Sequence, residues 1–346
     1  MGAGLVVLKK AISNNWGITA SVNSKGRNNS SKIICKIVSN TGEYGSRFLQ
    51  EMYEEGYVLD IGGNGITIMA QNAAGLFYGM MTLVQLIKTN NERNLPNLVI
   101  TDYPEMKMRG VSDDVSRGQV SSKENFFEII KYMAEFKLNT YCLYLEHGIL
   151  QSDDSLTNNG NGVITREEVE SIQKYARKYF ISVIPIVQSL AHQDYFLSMP
   201  ENQRYAVFPG SNTIDITNKD AVEYMTSYLD NVVKKFDSEY IHVGCDETYD
   251  IGTGRSKLLA DSIGLSDIYR DYYSSLFDCI DKNDKKMMMY ADMLLKNPEL
   301  LGMIQKEITL MYWAYHPQLH YPEIDLLIEK GFRTVVSPGL HNWNKV

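Results

Sequence analysis

The stretch Tyr240-Ile241-His242-Val243-Gly244-Cys245-Asp246-Glu247 is a short apolar run closed by two adjacent carboxylates. A nearly continuous apolar run of this length predicts a parallel strand buried on both faces. Its acids then fall at the strand's C-terminal end, where α/β barrels assemble their sites. Burial raises a carboxyl pKa, and a second carboxylate nearby raises it further. One acid of such a pair can stay protonated as a donor while its neighbour stays charged. An Asp-Glu dipeptide also arises by chance among 42 acidic residues, so its place on a buried strand is what gives it meaning.

Working outward, strand and helix alternate from about residue 105, the mark of a parallel α/β fold. The expected strands are Met108–Val111, Thr140–Leu145, Ser182–Val187, Tyr240–Cys245, Met287–Ala291, Ile308–Trp313 and Thr334–Val336. Ser121-x-x-Glu124 and Thr165-x-x-Glu168 have the form of capping boxes that start helices. Val169, Ile172, Ala176 and Tyr179 keep helical spacing, as do Val222, Met225, Leu229 and Phe236. Two loops after strands are long, Gln151–Gly162 and Gln188–Asn212, and in a barrel both lie on the catalytic face. The fold class expected is α/β, a (β/α)8-type TIM barrel over residues 101–346. Seven strands precede Val346, so the eighth unit is expected to be missing and the last strand to be an open edge, a hazard for self-association.

Residues 1–100 read as a small α+β domain. Leu5–Leu8, Ile33–Val38 and Tyr57–Ile61 are strand-like, and Asn64-Gly65 predicts a hairpin turn into Ile66–Met69. A helix is expected over Ala73–Ile87, with Leu76, Met80, Leu83 and Ile87 on one stripe. Trp16 is expected in the core. The polar, Pro-containing segment Asn90–Asn97 reads as a linker.

With 44% hydrophobic and 22% charged residues the composition is that of a globular protein, and a net charge of −8 without a basic cluster argues against nucleic acid as a partner. Cys35, Cys142, Cys245 and Cys279 lie far apart and read as free structural thiols. Scattered histidines with no His-Glu-x-x-His pattern give no reason to expect a metal. Gly252-x-Gly254 is too short a glycine pattern for nucleotide binding. No apolar run approaches the ~18 residues of a membrane span. The start, Met1–Lys10, has its positive charges after a short apolar run, unlike a signal peptide. A cytoplasmic location is expected, with a leader already removed as the alternative.

Several segments resemble glycoside hydrolase family 20, the β-N-acetylhexosaminidases. They are Asp102-Tyr103-Pro104 with Met108-Arg109-Gly110 and Asp113-Asp114-Val115-Ser116-Arg117, then Lys137-Leu138-Asn139, then Val183-Ile184-Pro185. His242-Val243-Gly244-Cys245-Asp246-Glu247 is similar to the family's His-x-Gly-Gly-Asp-Glu signature, with Cys245 in place of one glycine. The segment Tyr57–Ile87 resembles the small domain that family carries ahead of its barrel.

The resemblance implies a retaining exo-acting enzyme without a cofactor, in which the substrate's own 2-acetamido group is the nucleophile, one of the exceptions to the two-carboxylate scheme. Glu247 would protonate the leaving oxygen and then activate water, and Asp246 would hold the acetamido N–H and balance its developing charge. Arg109 would anchor the terminal sugar through its guanidinium fork, unless it only pairs with Asp114. His192 would tune the acid, paired with Glu146. Trp313, Tyr315 and Trp343 would floor the sugar site, with Tyr315 on the acetamido carbonyl, although each also suits a core position. Asp292 would bind a hydroxyl or cap a helix. The implied partner is a carbohydrate ending in β-linked N-acetylglucosamine or N-acetylgalactosamine. Two other readings stay open: a conventional retaining glycosidase with Glu146 or Asp292 as nucleophile, and a sugar-binding barrel without turnover.

Overall fold

The first apolar run, Leu5–Leu8, lies inside a helix, α1 (Gly2–Trp16), and is not the strand its length suggested. Gly4, Leu8, Ala11, Ile12 and Trp16 are its buried residues, a helical period that runs on past the two lysines bounding the run. Trp16 is a core residue, and its indole N–H donates to the Asn90 carbonyl over 3.3 Å. The structure is a computed structural model that describes residues 2–23, 32–38, 50–90, 93–117, 120–146 and 164–339. Contacts gather the chain into two units, residues 1–111 with 123–140 and 174–182, and residues 112–122 with 141–173 and 183–346.

Four strands form the smaller sheet, in the order β1-β3-β2-β4. β1 (Ile33–Ile37) runs parallel to β3 (Gly65–Ala70), and β2 (Tyr57–Gly62) runs antiparallel to both β3 and β4 (Leu98–Asp102). The hairpin turns on Gly63-Asn64, one residue earlier than the sequence implied. Gly65 already pairs with Gly62 at a φ of 105°, and a Cβ there would stand 2.9 Å from the Lys32 carbonyl. β4 has no counterpart in the sequence expectations. Its residues alternate between half-buried and exposed directly after the polar segment, so no continuous apolar run marks it. α2 (Ala73–Thr89) starts at Asn72, whose side-chain oxygen accepts from the Ala74 and Gly75 amides at 3.0 and 3.3 Å.

From Gly110 onward the order is β5 (Gly110–Asp114), α3 (Lys123–Glu135), β6 (Thr140–Tyr144), α4 (Arg166–Ala176), β7 (Ser182–Ile186), α5 (Asp194–Ser198), α6 (Lys219–Val233) and β8 (Tyr240–His242). Then come α7 (Lys257–Ile263), α8 (Leu265–Asp281), β9 (Lys286–Tyr290), α9 (Asp292–Lys296), β10 (Thr309–Ala314), α10 (Pro322–Glu329) and β11 (Thr334–Pro338). The seven strands lie side by side in sequence order, β5 at one edge and β11 at the other. Registers are parallel from β7 to β11, and the ladder bonds Thr140 N–H to Arg109 O and Val115 N–H to Tyr144 O carry the same sense from β5 to β6. The sheet is a curled, incomplete TIM barrel.

Each of the sequence's seven strand segments overlaps one of these strands. For β6 to β10 the reason is that parallel strands covered on both faces must be mostly apolar, whereas β5 is half-exposed and shares only Gly110 and Val111 with the segment expected over Met108–Val111. β6 is buried at every position, and β7 and β9 at all but the first. The Thr165 capping box forms in full: Glu168 Oε2 accepts from the Thr165 amide at 2.9 Å, and Thr165 Oγ1 accepts from the Glu168 amide at 3.2 Å. All four cysteines are free thiols, three of them buried. Among the described residues no helix is long and apolar enough to cross a membrane.

Candidate active site

β8 ends at His242, hydrogen bonds to the flanking segments continue through Val243 and Gly244, and the chain then bends sharply. Gly244, Cys245 and Glu247 all adopt left-handed backbone, with φ of 68°, 71° and 52°. Non-glycine residues visit this region rarely, and such strain costs about 1–3 kcal/mol each. A Cβ at Gly244 would lie 2.0 Å from Gln188 Oε1 and would displace that side chain from its bonds to Tyr144, Asp246 and the Cys245 amide. Cys245 holds the same conformation with its thiol fully buried, while its amide donates to Gln188 Oε1 over 3.3 Å. The bend brings Asp246 and Glu247 out at the C-terminal end of the strands.

There the two acids meet His192, whose Nε2 stands 3.4 Å from Asp246 Oδ2 and 3.4 Å from Glu247 Oε2. Their surroundings differ: the Asp246 side chain is 14% exposed and that of Glu247 is 41% exposed. Burial pushes the Asp246 pKa up, but hydrogen bonding and charge from His192, with a 2.8 Å bond from Gln188 Nε2, bring it below the usual carboxylate value. His192 moves the opposite way: burial pulls it down, and Asp246 and Glu247 outweigh that and raise it. Asp246 is therefore held as a carboxylate beside a histidine that favours its charged form. His242 is fully buried, held neutral with its pKa pushed down to about 3, and its Nδ1 accepts from the Gly244 amide at 3.0 Å.

Two further acids sit at this end. Asp292 opens α9, and its Oδ2 accepts from the Glu247 amide at 2.9 Å. Burial, with the Asp246 and Glu247 charges, raises its pKa to about 6 against the pull of that amide. Glu146, just after β6, is raised to about 7 by burial and by Asp194, against the attraction of Arg117 and His192.

Arg109 is not part of this cluster. It immediately precedes β5 at the N-terminal end of the sheet, whereas Asp246 and Glu247 follow the C-terminal end of β8. Its guanidinium is spent on Glu55 at 2.8 Å, on the Met106 carbonyl at 2.8 Å and on the Lys137 carbonyl at 2.9 and 3.1 Å. The arginine at the right end is Arg117, three residues beyond β5. It pairs with Asp114 at 3.3 Å and donates to the Tyr144 hydroxyl at 2.7 Å. That hydroxyl also accepts from Gln188 Nε2 at 2.9 Å, so Arg117, Tyr144, Gln188 and Asp246 form one connected chain. Strand direction was the available signal: residues after a barrel strand face the site, and those before it face away.

Trp313 is the penultimate residue of β10 and Tyr315 follows it, with ring centroids 5.1 Å apart. Trp343 lies outside the described residues. Tyr290, the last residue of β9, packs edge-on against His242 with ring centroids 4.3 Å apart, and burial with the Asp246 charge raises its pKa. Asp292 Oδ1 and Trp313 Nε1 are buried without a hydrogen-bond partner. His192, Asp246 and Glu247 also offer three donor atoms within 4.8 Å of one another, the described set placed to share a cation.

Residues 106–342 match the catalytic domain of glycosyl hydrolase family 20, and residues 7–103 match domain 2 of that family. The chain belongs to glycosyl hydrolase family 20. It is 26% identical over 278 residues to lacto-N-biosidase of Bifidobacterium bifidum, covering 76% of this chain and 24% of that protein. To a beta-hexosaminidase of Porphyromonas gingivalis it is 30% identical over 229 residues, 56% of this chain and 29% of the relative. To N,N'-diacetylchitobiase of Vibrio harveyi it is 26% identical over 357 residues, 86% of this chain and 39% of the relative. The chain thus spans only a quarter to two-fifths of these relatives' length. Among solved structures it is similar to Flavobacterium johnsoniae chitobiase, with a TM-score of 0.77 at 20% identity over 97% of this chain and 54% of that one. A mutant Streptomyces plicatus beta-hexosaminidase in complex with product GlcNAc gives 0.72 at 19%, over 97% and 68%. These two likenesses show the fold.

Proposed function

We propose that this family 20 chain is a retaining exo-β-N-acetylhexosaminidase that releases terminal β-linked N-acetylhexosamine by substrate-assisted catalysis. The observation that carries the reading is the unequal pair at the end of β8. Asp246 is buried and held as a carboxylate, and Glu247 is partly open to solvent, with His192 Nε2 at 3.4 Å from each.

In the first step the acetamido oxygen bonds to the anomeric carbon as the bond from that carbon to the leaving oxygen breaks. Glu247 gives its proton to the leaving oxygen. Asp246 accepts from the acetamido N–H and balances the positive charge of the oxazolinium. In the second step the Glu247 carboxylate takes a proton from water, whose oxygen opens the ring at the same carbon. Two displacements at one carbon retain configuration. Arg117, in the place first given to Arg109, supplies the guanidinium for the sugar hydroxyls. Tyr315 or the more buried Tyr290 receives the acetamido carbonyl. Trp313 lies under the ring, and Glu146 acts through Arg117 and His192.

A two-carboxylate mechanism fits less well. Burial raises Glu146 to about 7 and Asp292 to about 6, so each is a less fully ionised nucleophile near neutral pH than Asp246, and Asp292 Oδ2 already accepts from the Glu247 amide. A sugar-binding barrel without turnover would bind N-acetylglucosamine and hydrolyse nothing. Glu247→Gln tests the assignment: turnover should fall about 10²–10⁴-fold on substrates with poor leaving groups and less on nitrophenyl glycosides, which need little protonation. An equal loss on both would remove Glu247 from the role of acid.

A further inference from the structure

Thr248 separates two outward-facing residues. It is fully buried, its hydroxyl lies 2.7 Å from the Tyr269 hydroxyl, and its carbonyl accepts from that hydroxyl at 2.8 Å. The Tyr249 amide donates to the Glu247 carbonyl at 2.9 Å, closing a three-residue turn around it. With the middle residue pinned inward, Glu247 and Tyr249 both point away from the core, and Tyr249 is 55% exposed.

The exposed aromatic two residues from the proton donor also carries a cation against its ring. Lys296 Nζ sits 3.7 Å from the Tyr249 ring centroid. Lys296 ends α9, the same short helix whose first residue, Asp292, holds the Glu247 amide. One helix therefore fixes both ends of the segment from Glu247 to Tyr249. On the far side, Asp250 accepts from the Ser211 hydroxyl at 2.6 Å, which ties the segment to the loop after β7. A tyrosine with so much exposed ring, clamped by a cation, gains nothing for folding from that exposure.

We infer that Tyr249 is a stacking platform for the leaving-group sugar, the first ring beyond the bond that is cut. The inference rests on the reading of Glu247 as the proton donor. A group that protonates the leaving oxygen must sit at the junction between the sugar that stays and the sugar that departs. A rigid aromatic beside it then meets the departing ring, whose apolar face packs on an aromatic face. The ligand class is a pyranoside aglycone, and the platform should assist oligosaccharides while leaving glycosides whose leaving group is a single atom unaffected.

The test compares kcat/KM for the β-linked disaccharide of N-acetylglucosamine with that for N-acetylglucosaminyl fluoride. In Tyr249→Ala the ratio of disaccharide to fluoride should fall about 10-fold, the scale of one aromatic contact. In Tyr249→Phe, which keeps the ring, the ratio should hold. A ratio unchanged in Tyr249→Ala, or one that falls as far in Tyr249→Phe, overturns the platform while leaving Glu247 in its role. A wild-type chain that turns over neither substrate overturns the proposed function and the platform with it, and this is read before any substitution is made.

Discussion

Asp292 shows how one buried carboxyl can be read twice, as a support for Glu247 and as a reporter of its surroundings. Its oxygen anchors the Glu247 amide, yet burial and its two acidic neighbours raise its pKa from 3.8 to about 6. A carboxyl raised in the folded state contributes stability that is fully present below about pH 4 and is lost as pH rises through about 6. Asp292→Asn keeps an oxygen for the Glu247 amide and cannot ionise. It should match wild type near pH 4 and become more stable by up to about 3 kcal/mol by pH 7. Denaturant unfolding at the two pH values measures the gap, and a gap that does not change with pH would contradict the assigned environment. The residue scale is also where sequence reading failed most clearly. Asp246 and Glu247 were legible because they close an apolar run. Arg109 and Arg117 flank the same strand, and only the direction of that strand tells which faces the carboxylates. Gln188 and Tyr144 carry no signal of their own, since a buried hydrogen-bond chain is made by residues distant in sequence.

Elements were legible in proportion to how continuously they are buried. Each strand from β6 to β10 is a mostly apolar run, and all were found within a few residues of their ends. β4 was invisible because its burial alternates over only five residues. α1 was taken for a strand because four apolar residues fit either period, and only its continuation to Trp16 decides. The capping box at Thr165 was legible from spacing alone. Thr165→Ala removes the hydroxyl that accepts from the Glu168 amide at 3.2 Å and should cost about 0.5–2 kcal/mol. Thermal unfolding of the variant checks this. A change within error would mean that the amide finds water at no cost.

At the scale of the molecule, the sheet has β11 as one edge, and Val336 on that strand is 53% exposed. A parallel edge with wet apolar side chains invites pairing with another chain. Light scattering across a concentration series should show association that Val336→Lys reduces. A monodisperse monomer at every concentration, indifferent to the substitution, would show that the edge is not adhesive. The fold only places the carboxylates at the end of β8; what they do there decides the reaction. The most direct measurement is kcat/KM of the wild-type chain on a 2-acetamido aryl β-glycoside against its 2-hydroxy analogue. If the substrate's own acetamido oxygen is the nucleophile, the 2-hydroxy sugar loses an intramolecular reactant, and the ratio should exceed about 10³. Equal rates on the two sugars would mean that the protein supplies its own nucleophile and that Asp246 has no acetamido group to hold.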